Sequence, residues 1–205
     1  MTEDIPEKLA LRRDKLRDAL IAAAEDAVTT RGLSGLKARD LAAAAGCALG
    51  AIYNVFDDLD ELVLRVNQRT LAMLERALNA GEAAADPAQE LLRLARAYLA
   101  FARREEKRWR ALFEHRLPPA RDPPGWYVVD LDRLFGRLEA PLAHLLPKAE
   151  PAARAQLART LFSAVHGVVT LGMEEKLAPT PAATLNAQLD GFVGMIAAGL
   201  APRKT

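Results

Sequence analysis

The sequence is short of almost everything that builds a disulfide scaffold, a metal centre or a β-sheet. Cys47 is its only cysteine, which excludes an intrachain disulfide and a multi-cysteine zinc site and fits a reducing compartment. His115, His144 and His166 are the only histidines and stand too far apart to suggest a ligand set, so no metal or cofactor is expected. Aromatic residues make up 5% of the chain, and strand-favouring side chains are correspondingly sparse. The 28 basic residues nearly cancel the 27 acidic ones, so bulk charge points to no partner. The longest stretch without a charge, Leu41 to Phe56, is interrupted by Gly46, Gly50 and Asn54 and is too short to span a membrane. Met1 to Lys15 contains no apolar signal core, so a soluble, cytoplasmic protein without a membrane partner is expected. Neither a glycine-rich phosphate loop after a strand nor a His-Glu-x-x-His pair occurs, and no catalytic constellation suggests an enzyme.

What the chain has in quantity is alanine, 41 residues, within a composition that is 51% hydrophobic. Strong helix formers therefore dominate, and an all-α fold with a packed core is expected. No proline falls between Pro6 and Pro87 or between Pro87 and Pro118, so long helices are allowed before the cluster Pro118 to Pro124. Leu16, Leu20, Ala23 and Ala27 form an apolar stripe from about Arg12 to a stop at Gly32. Two short helices, Lys37 to Ala45 and Leu49 to Val55, follow around Gly46 and suggest a helix-turn-helix. Asp57, Asp58 and Asp60 stand at the start of a long helix, where the positive end of its dipole favours them. Further helices are predicted over Ala88 to Ala102, around Trp109 to Phe113, and from Trp126 to Leu138 or beyond, with Pro141 as a perturbation and Pro147 as a stop.

The last two helices, Ala152 to Lys176 and Ala182 to Leu200, are apolar on more than one face, and no charge occurs from Thr160 to Met173. Such helices need burial on more than one side. A homodimer interface is therefore expected on Leu161, Val165, Val168, Gly172, Leu189, Phe192 and Ile196.

Residues Leu33 to Leu62 carry the most specific pattern. Arg39, Asp40, Leu41 and Ala42, the turn at Ala45 and Gly46, then Gly50, Ile52, Tyr53, Phe56, Glu61 and Leu62 occur in an order and spacing that resembles the DNA-binding domain of the TetR family of bacterial transcriptional regulators. The segments AYLAFARREEKRWRALFEH and LFSAVHGVVTLGMEEKL resemble the ligand-binding half of TetR regulators with a Trp-His-Gly motif, Val165 standing where the tryptophan would be. Lys37 replaces a common threonine, and Ala48 and Ala51 replace a common serine and threonine.

The resemblance implies a helix-turn-helix domain over residues 1–57, a connecting helix and linker over 58–86, and an effector-binding and dimerisation domain over 87–205. It implies a ligand-responsive regulator, a repressor, that binds a pseudo-palindromic double-stranded operator as a homodimer. Tyr53 would contact a phosphate. From the residues themselves, Lys37 and Arg39 offer backbone attraction, within a stretch from Lys8 to Arg39 that holds eight basic residues against four acidic ones. Ala48, Leu49, Gly50 and Ala51 offer an apolar groove-facing surface, and the Asn54 amide can pair with adenine. Tyr98, Phe101, Trp109, Phe113, Trp126 and Phe162 can wall an apolar cavity for a small, largely apolar effector. His166 is either its polar group or a satisfied core histidine. A helical ligand-binding module that has lost operator binding is the rival reading.

Overall fold

The computed structural model describes residues 4–174 and 181–200. Its order is α1 (Asp4–Arg31), α2 (Ala38–Ala44), α3 (Leu59–Leu78), α4 (Pro87–Arg104), α5 (Glu106–Glu114), α6 (Gly125–Leu145), α7 (Pro151–Met173) and α8 (Ala182–Leu200). Two 3-10 segments, Leu33–Gly35 and Leu49–Asn54, stand either side of α2, and no strand occurs among the described residues. The fold is all-α, as the composition requires.

Three features differ from the sequence reading: the start of α1, the winding of Leu49–Asn54 and the end of α7. α1 begins at Asp4 rather than near Arg12, because nothing after Pro6 breaks it. The segment expected as a short α-helix, Leu49 to Val55, winds as a 3-10 helix over Leu49–Asn54. α6, by contrast, follows the reading: it runs through Pro141 and ends at Leu145, before Pro147. α7 ends at Met173, and Lys176, the expected end, lies outside the described residues.

The chain divides into two compact units that do not follow the expected boundaries at 57 and 86. The first takes the chain up to Ala72 together with Glu105–Tyr127, and the second takes Met73–Arg104 together with the chain from Val128 onward. The physical reason lies in α5: Ala111 is fully buried in the same core as α1, α2 and the start of α3. Leu20, Ile21, Ala24, Ala27 and Val28 line that core from α1, Leu41 and Ala42 from α2, Ile52, Val55 and Phe56 from the stretch after it, and Leu62 and Val66 from α3. α5 also buries Trp109, and fully burying a large apolar side chain contributes about 1.5–3 kcal/mol, so α5 cannot leave this unit cheaply. Polar ties follow the packing. The Asn67 amide donates to the Ala111 carbonyl at 3.4 Å, Arg108 pairs with Glu25 at 3.6 Å, and Lys107 donates to the Thr30 carbonyl.

In the second unit the closest partnership is α4 with α8. Leu91, Leu94, Ala95, Tyr98, Leu99 and Ala102 are buried on α4, and Leu185, Leu189, Val193 and Ala197 recur every fourth residue on α8. Two ties fix the register: the Arg96 guanidinium donates to both Asp190 carboxylate oxygens at 2.8 and 2.7 Å, and Arg103 donates to Asn186 Oδ1 and the Ala182 carbonyl. Gly172 lets α7 approach α8, since a Cβ there would meet Leu185 Cδ1 at 2.4 Å. Arg93 closes the end of α3 by donating to the carbonyls of Leu78 and Ala80 at 2.9 and 3.2 Å, which the helix itself leaves unpaired.

Candidate functional site

The turn after α2 is built by the backbone. Gly46 sits at φ 68, Cys47 N–H donates to the Ala42 carbonyl at 2.9 Å and Gly46 N–H to the Ala43 carbonyl at 3.2 Å. This is the paired closure of a Schellman motif, whose left-handed residue favours glycine because it has no Cβ. Ala48 then adopts extended geometry and starts Leu49–Asn54. Three residues per turn put 52 and 55 on one side and 50 and 53 on another. Accordingly Ile52 and Val55 are buried, together with Phe56, whereas Gly50, Tyr53 and Asn54 are exposed.

The predicted base-reading residues are each accessible in part or in full. Ala48, Leu49, Gly50, Tyr53 and Asn54 are exposed, Leu49 at 41% and Tyr53 at 53%, and Ala51 is half-buried. Lys37 and Arg39, before and within α2, are exposed too. A Cβ on Gly50 would meet nothing within 4 Å, so internal packing gives no reason for glycine there.

Sequence reasoning missed how this segment is held. Arg17 of α1 donates to the Val55 carbonyl at 3.2 Å and to Glu61 Oε1 at 2.9 Å, with its guanidinium 4.8 Å from the centre of the Phe56 ring. Glu61 Oε2 accepts from Asp57 N–H at 3.0 Å, and Asp58 Oδ1 accepts from Glu61 N–H at 2.8 Å. The acidic residues read as dipole partners are thus a variant of the capping box, and the signal was present as Asp58-x-x-Glu61 before an apolar run. The segment after α5 adds to it: His115 Nε2 lies 2.9 Å from Asp60 Oδ1, Arg121 pairs with Asp58, and the Arg65 guanidinium stacks 3.7 Å from the Trp126 ring.

The expected effector residues divide. In the second unit Tyr98 Oη lies 2.8 Å from His166 Nδ1, and Thr170 Oγ1 lies 3.3 Å from His166 Nε2. Phe162 stacks on the imidazole at 5.8 Å between ring centres and makes edge-to-face contacts with Tyr98 and Phe135. Burial lowers the His166 pKa and keeps the ring neutral at pH 7. Phe101 is fully buried in the same unit. Trp109, Phe113 and Trp126 belong to the first unit, where Trp109 and Phe113 pack edge to face. Phe135 and Thr170 were not anticipated. An open cleft of about 490 Å³ in the second unit is lined by none of the expected residues but by Ala84, Pro87, Glu90, Arg133, Arg137 and His144.

The expected dimer residues also divide. Leu161, Val165, Val168, Phe192 and Ile196 are half-buried, flanked by Leu171 and Met195 at 60% and 71% exposure. Leu189 is a correction: it is fully buried within the chain and has no surface to offer. Gly172, expected at the interface, meets Leu185 of its own chain.

Comparison with known proteins agrees with this architecture. The model described as bacterial regulatory proteins, tetR family, matches residues 20–66, and the tetracyclin repressor-like C-terminal domain model matches residues 91–192. A protein of unknown function from Rhodococcus sp. RHA1 is similar at a TM-score of 0.67 and 26% identity, over 91% of this chain and 96% of that one. RolR, solved with its ligand resorcinol, gives 0.66 and 17% over 95% and 97%. PfmR, a TetR family transcriptional regulator from Thermus thermophilus, gives 0.57 and 19% over 89% and 99%. No curated protein matches at the level of sequence.

Glu61 provides a pH test of the clamp behind the exposed segment. Burial pushes its carboxyl up, but the Asp57 amide, Arg17 and Arg65 outweigh burial and hold it below the usual carboxylate range. A depressed carboxylate stabilises the fold above its unfolded pKa, and that contribution is lost as pH falls through the folded value. The urea midpoint of the parent should therefore fall from roughly pH 5 downward more steeply than that of Glu61→Gln. Parallel profiles for the two proteins would remove Glu61 from this role.

Proposed function

Because the chain belongs to the tetR family of bacterial regulatory proteins, DNA-binding transcriptional regulators rather than enzymes, we propose that it is a ligand-responsive repressor that binds a pseudo-palindromic operator as a homodimer. The observation that carries the operator reading is the accessible face of Leu49–Asn54, sealed from behind by Ile52, Val55 and Phe56. Ala48, Leu49 and Ala51 meet thymine methyl groups in the major groove, and Asn54 pairs with adenine. Gly50 leaves room for close approach, Tyr53 reaches a phosphate, and Lys37 and Arg39 attract the backbone.

The dimer reading rests on the uncharged outer faces of α7 and α8, where Leu171 and Met195 are largely exposed beside Leu161, Val165, Val168, Phe192 and Ile196. An obligate interface of this kind buries about 2,000 Å² or more, and two-fold symmetry matches two half-sites about 34–36 Å, or a multiple of that, apart. The effector reading rests on Tyr98, Phe162 and His166, an aromatic group around one neutral imidazole. A small apolar or aromatic compound with one hydrogen-bonding group fits that chemistry and weakens operator binding. Val165-His166-Gly167 then stands where the Trp-His-Gly subtype has its motif.

Tyr53→Ala and Lys37→Ala should weaken binding to all duplexes alike, whereas Asn54→Ala should cost about 1–3 kcal/mol of discrimination at one or two base pairs. Fluorescence anisotropy on a selected duplex and its single-base variants separates the roles, and unchanged affinity and selectivity in all three variants would refute them. Phe192→Asp should turn a dimer into a monomer by light scattering at micromolar concentration; a monomeric parent would end the dimer reading. Compounds that raise the melting temperature of the parent should leave His166→Ala unshifted and weaken operator binding. Equal shifts in both proteins, or operator affinity unchanged at saturation, would exclude His166 as the effector contact.

A further inference from the structure

The cleft of the second unit shares no lining residue with the Tyr98, Phe162 and His166 group. Its volume of about 490 Å³ falls in the range of small-molecule sites. One wall is a face of α6, where Arg133, Gly136, Arg137, Ala140, Pro141 and His144 recur at three- and four-residue steps. The other is the stretch that leads into α4, and it is set before anything binds. Ala84 N–H donates to Glu90 Oε2 at 2.8 Å, and Arg93 donates to both Glu90 oxygens at 2.7 and 2.8 Å as well as to the carbonyls of Leu78 and Ala80. Glu90, the one carboxylate among the lining residues, is thereby committed.

The α6 wall supplies charge and space side by side. Arg133 and Arg137 stand one turn apart and both reach the Glu75 carboxylate, at 3.5 and 3.8 Å. These are contacts of charge, too long for good hydrogen bonds. Arg133 donates to Asp130 at 3.2 Å, and Arg137 makes no hydrogen bond among the described residues, so most N–H donors of the two guanidiniums remain open to a ligand. Gly136 lies between them, exposed, and a Cβ there would meet nothing within 4 Å. Glycine inside a helix is destabilising relative to alanine, and packing within the chain gives no reason for it. What it leaves is room in the cleft beside the two cations, next to the small apolar surface of Ala84, Pro87 and Ala140.

We propose that this cleft binds a small organic carboxylate, its anionic group held between Arg133 and Arg137 and its apolar body lying over Gly136 and Ala140. A guanidinium donates a matched pair of N–H groups to the two carboxylate oxygens. Glu75 and Asp130 already offset the two cations in part, so a monoanion is accepted more readily than the dianion of a phosphate monoester. This is a second ligand site, and neither the operator reading nor the His166 reading depends on it.

The test is calorimetric titration of the full chain with benzoate, its neutral amide benzamide, and phenyl phosphate, at low salt where exposed charges are least screened. The parent should bind benzoate at millimolar concentration or below, and the other two about tenfold more weakly or worse. Arg137→Gln should weaken benzoate about tenfold or more at an unchanged melting temperature. Gly136→Leu puts a side chain into the cleft and should abolish binding while the melting temperature holds or rises, a combination that a merely structural role would not produce. His166→Ala should bind benzoate as the parent does. The site is overturned by a parent that binds no benzoate, that binds benzamide equally well or that prefers phenyl phosphate. Parental affinity in either α6 variant, or loss of benzoate in His166→Ala, would overturn it as well.

Discussion

A six-residue 3-10 segment has too few backbone hydrogen bonds to hold a shape in water, so the exposed face of Leu49–Asn54 exists only because something behind it is fixed. That something is the burial of Ile52, Val55 and Phe56 against α1, α2 and α3. Arg17 adds a polar tie at Val55, and the cap of α3 prevents the chain from sliding at Asp57. The surface residues are thereby relieved of any structural duty, and alanine, glycine and asparagine can occupy them. The family's customary hydroxyls are absent at Ala48 and Ala51, and nothing in the packing of the segment requires them.

How much of this was legible in the sequence follows from the range of the forces involved. The helices were legible because they rest on local periodicity and on proline and glycine positions: α8 begins and ends where its pattern does, and the stop at Gly32 is real. The direction of the face on Leu49–Asn54 was legible for the same reason. Its winding was not, since Ile52 pairs with Val55 at 3-10 spacing as well as with Phe56 at α spacing, and a pattern of six residues fits both periods.

Long-range partnerships were the part that pattern alone did not contain. Leu189 and Phe192 read alike as apolar positions of α8, yet the first is fully buried and the second is only half-buried. Which stripe of a helix turns inward depends on its neighbour, and that neighbour is set by ties such as Arg96 with Asp190, ninety-four residues apart. The same limit applied to the aromatic residues. Tyr98 and Trp109 are eleven positions apart in the chain but belong to different units, because the break between α4 and α5 at Glu105 separates two helices that a spacing rule would join.

The division of the chain has a consequence for its manufacture. Because Glu105–Tyr127 completes the core begun by the chain up to Ala72, the first unit is not a segment that can close as it leaves the ribosome. At roughly 5–20 residues per second, the interval between Ala72 and Tyr127 amounts to about 3–11 seconds of synthesis during which the core that Ala111 joins lacks α5. Shortening the chain after α3 would leave the head in that unfinished state permanently. A free-standing DNA-binding fragment of this protein would have to carry α5 with it, spliced across the missing α4.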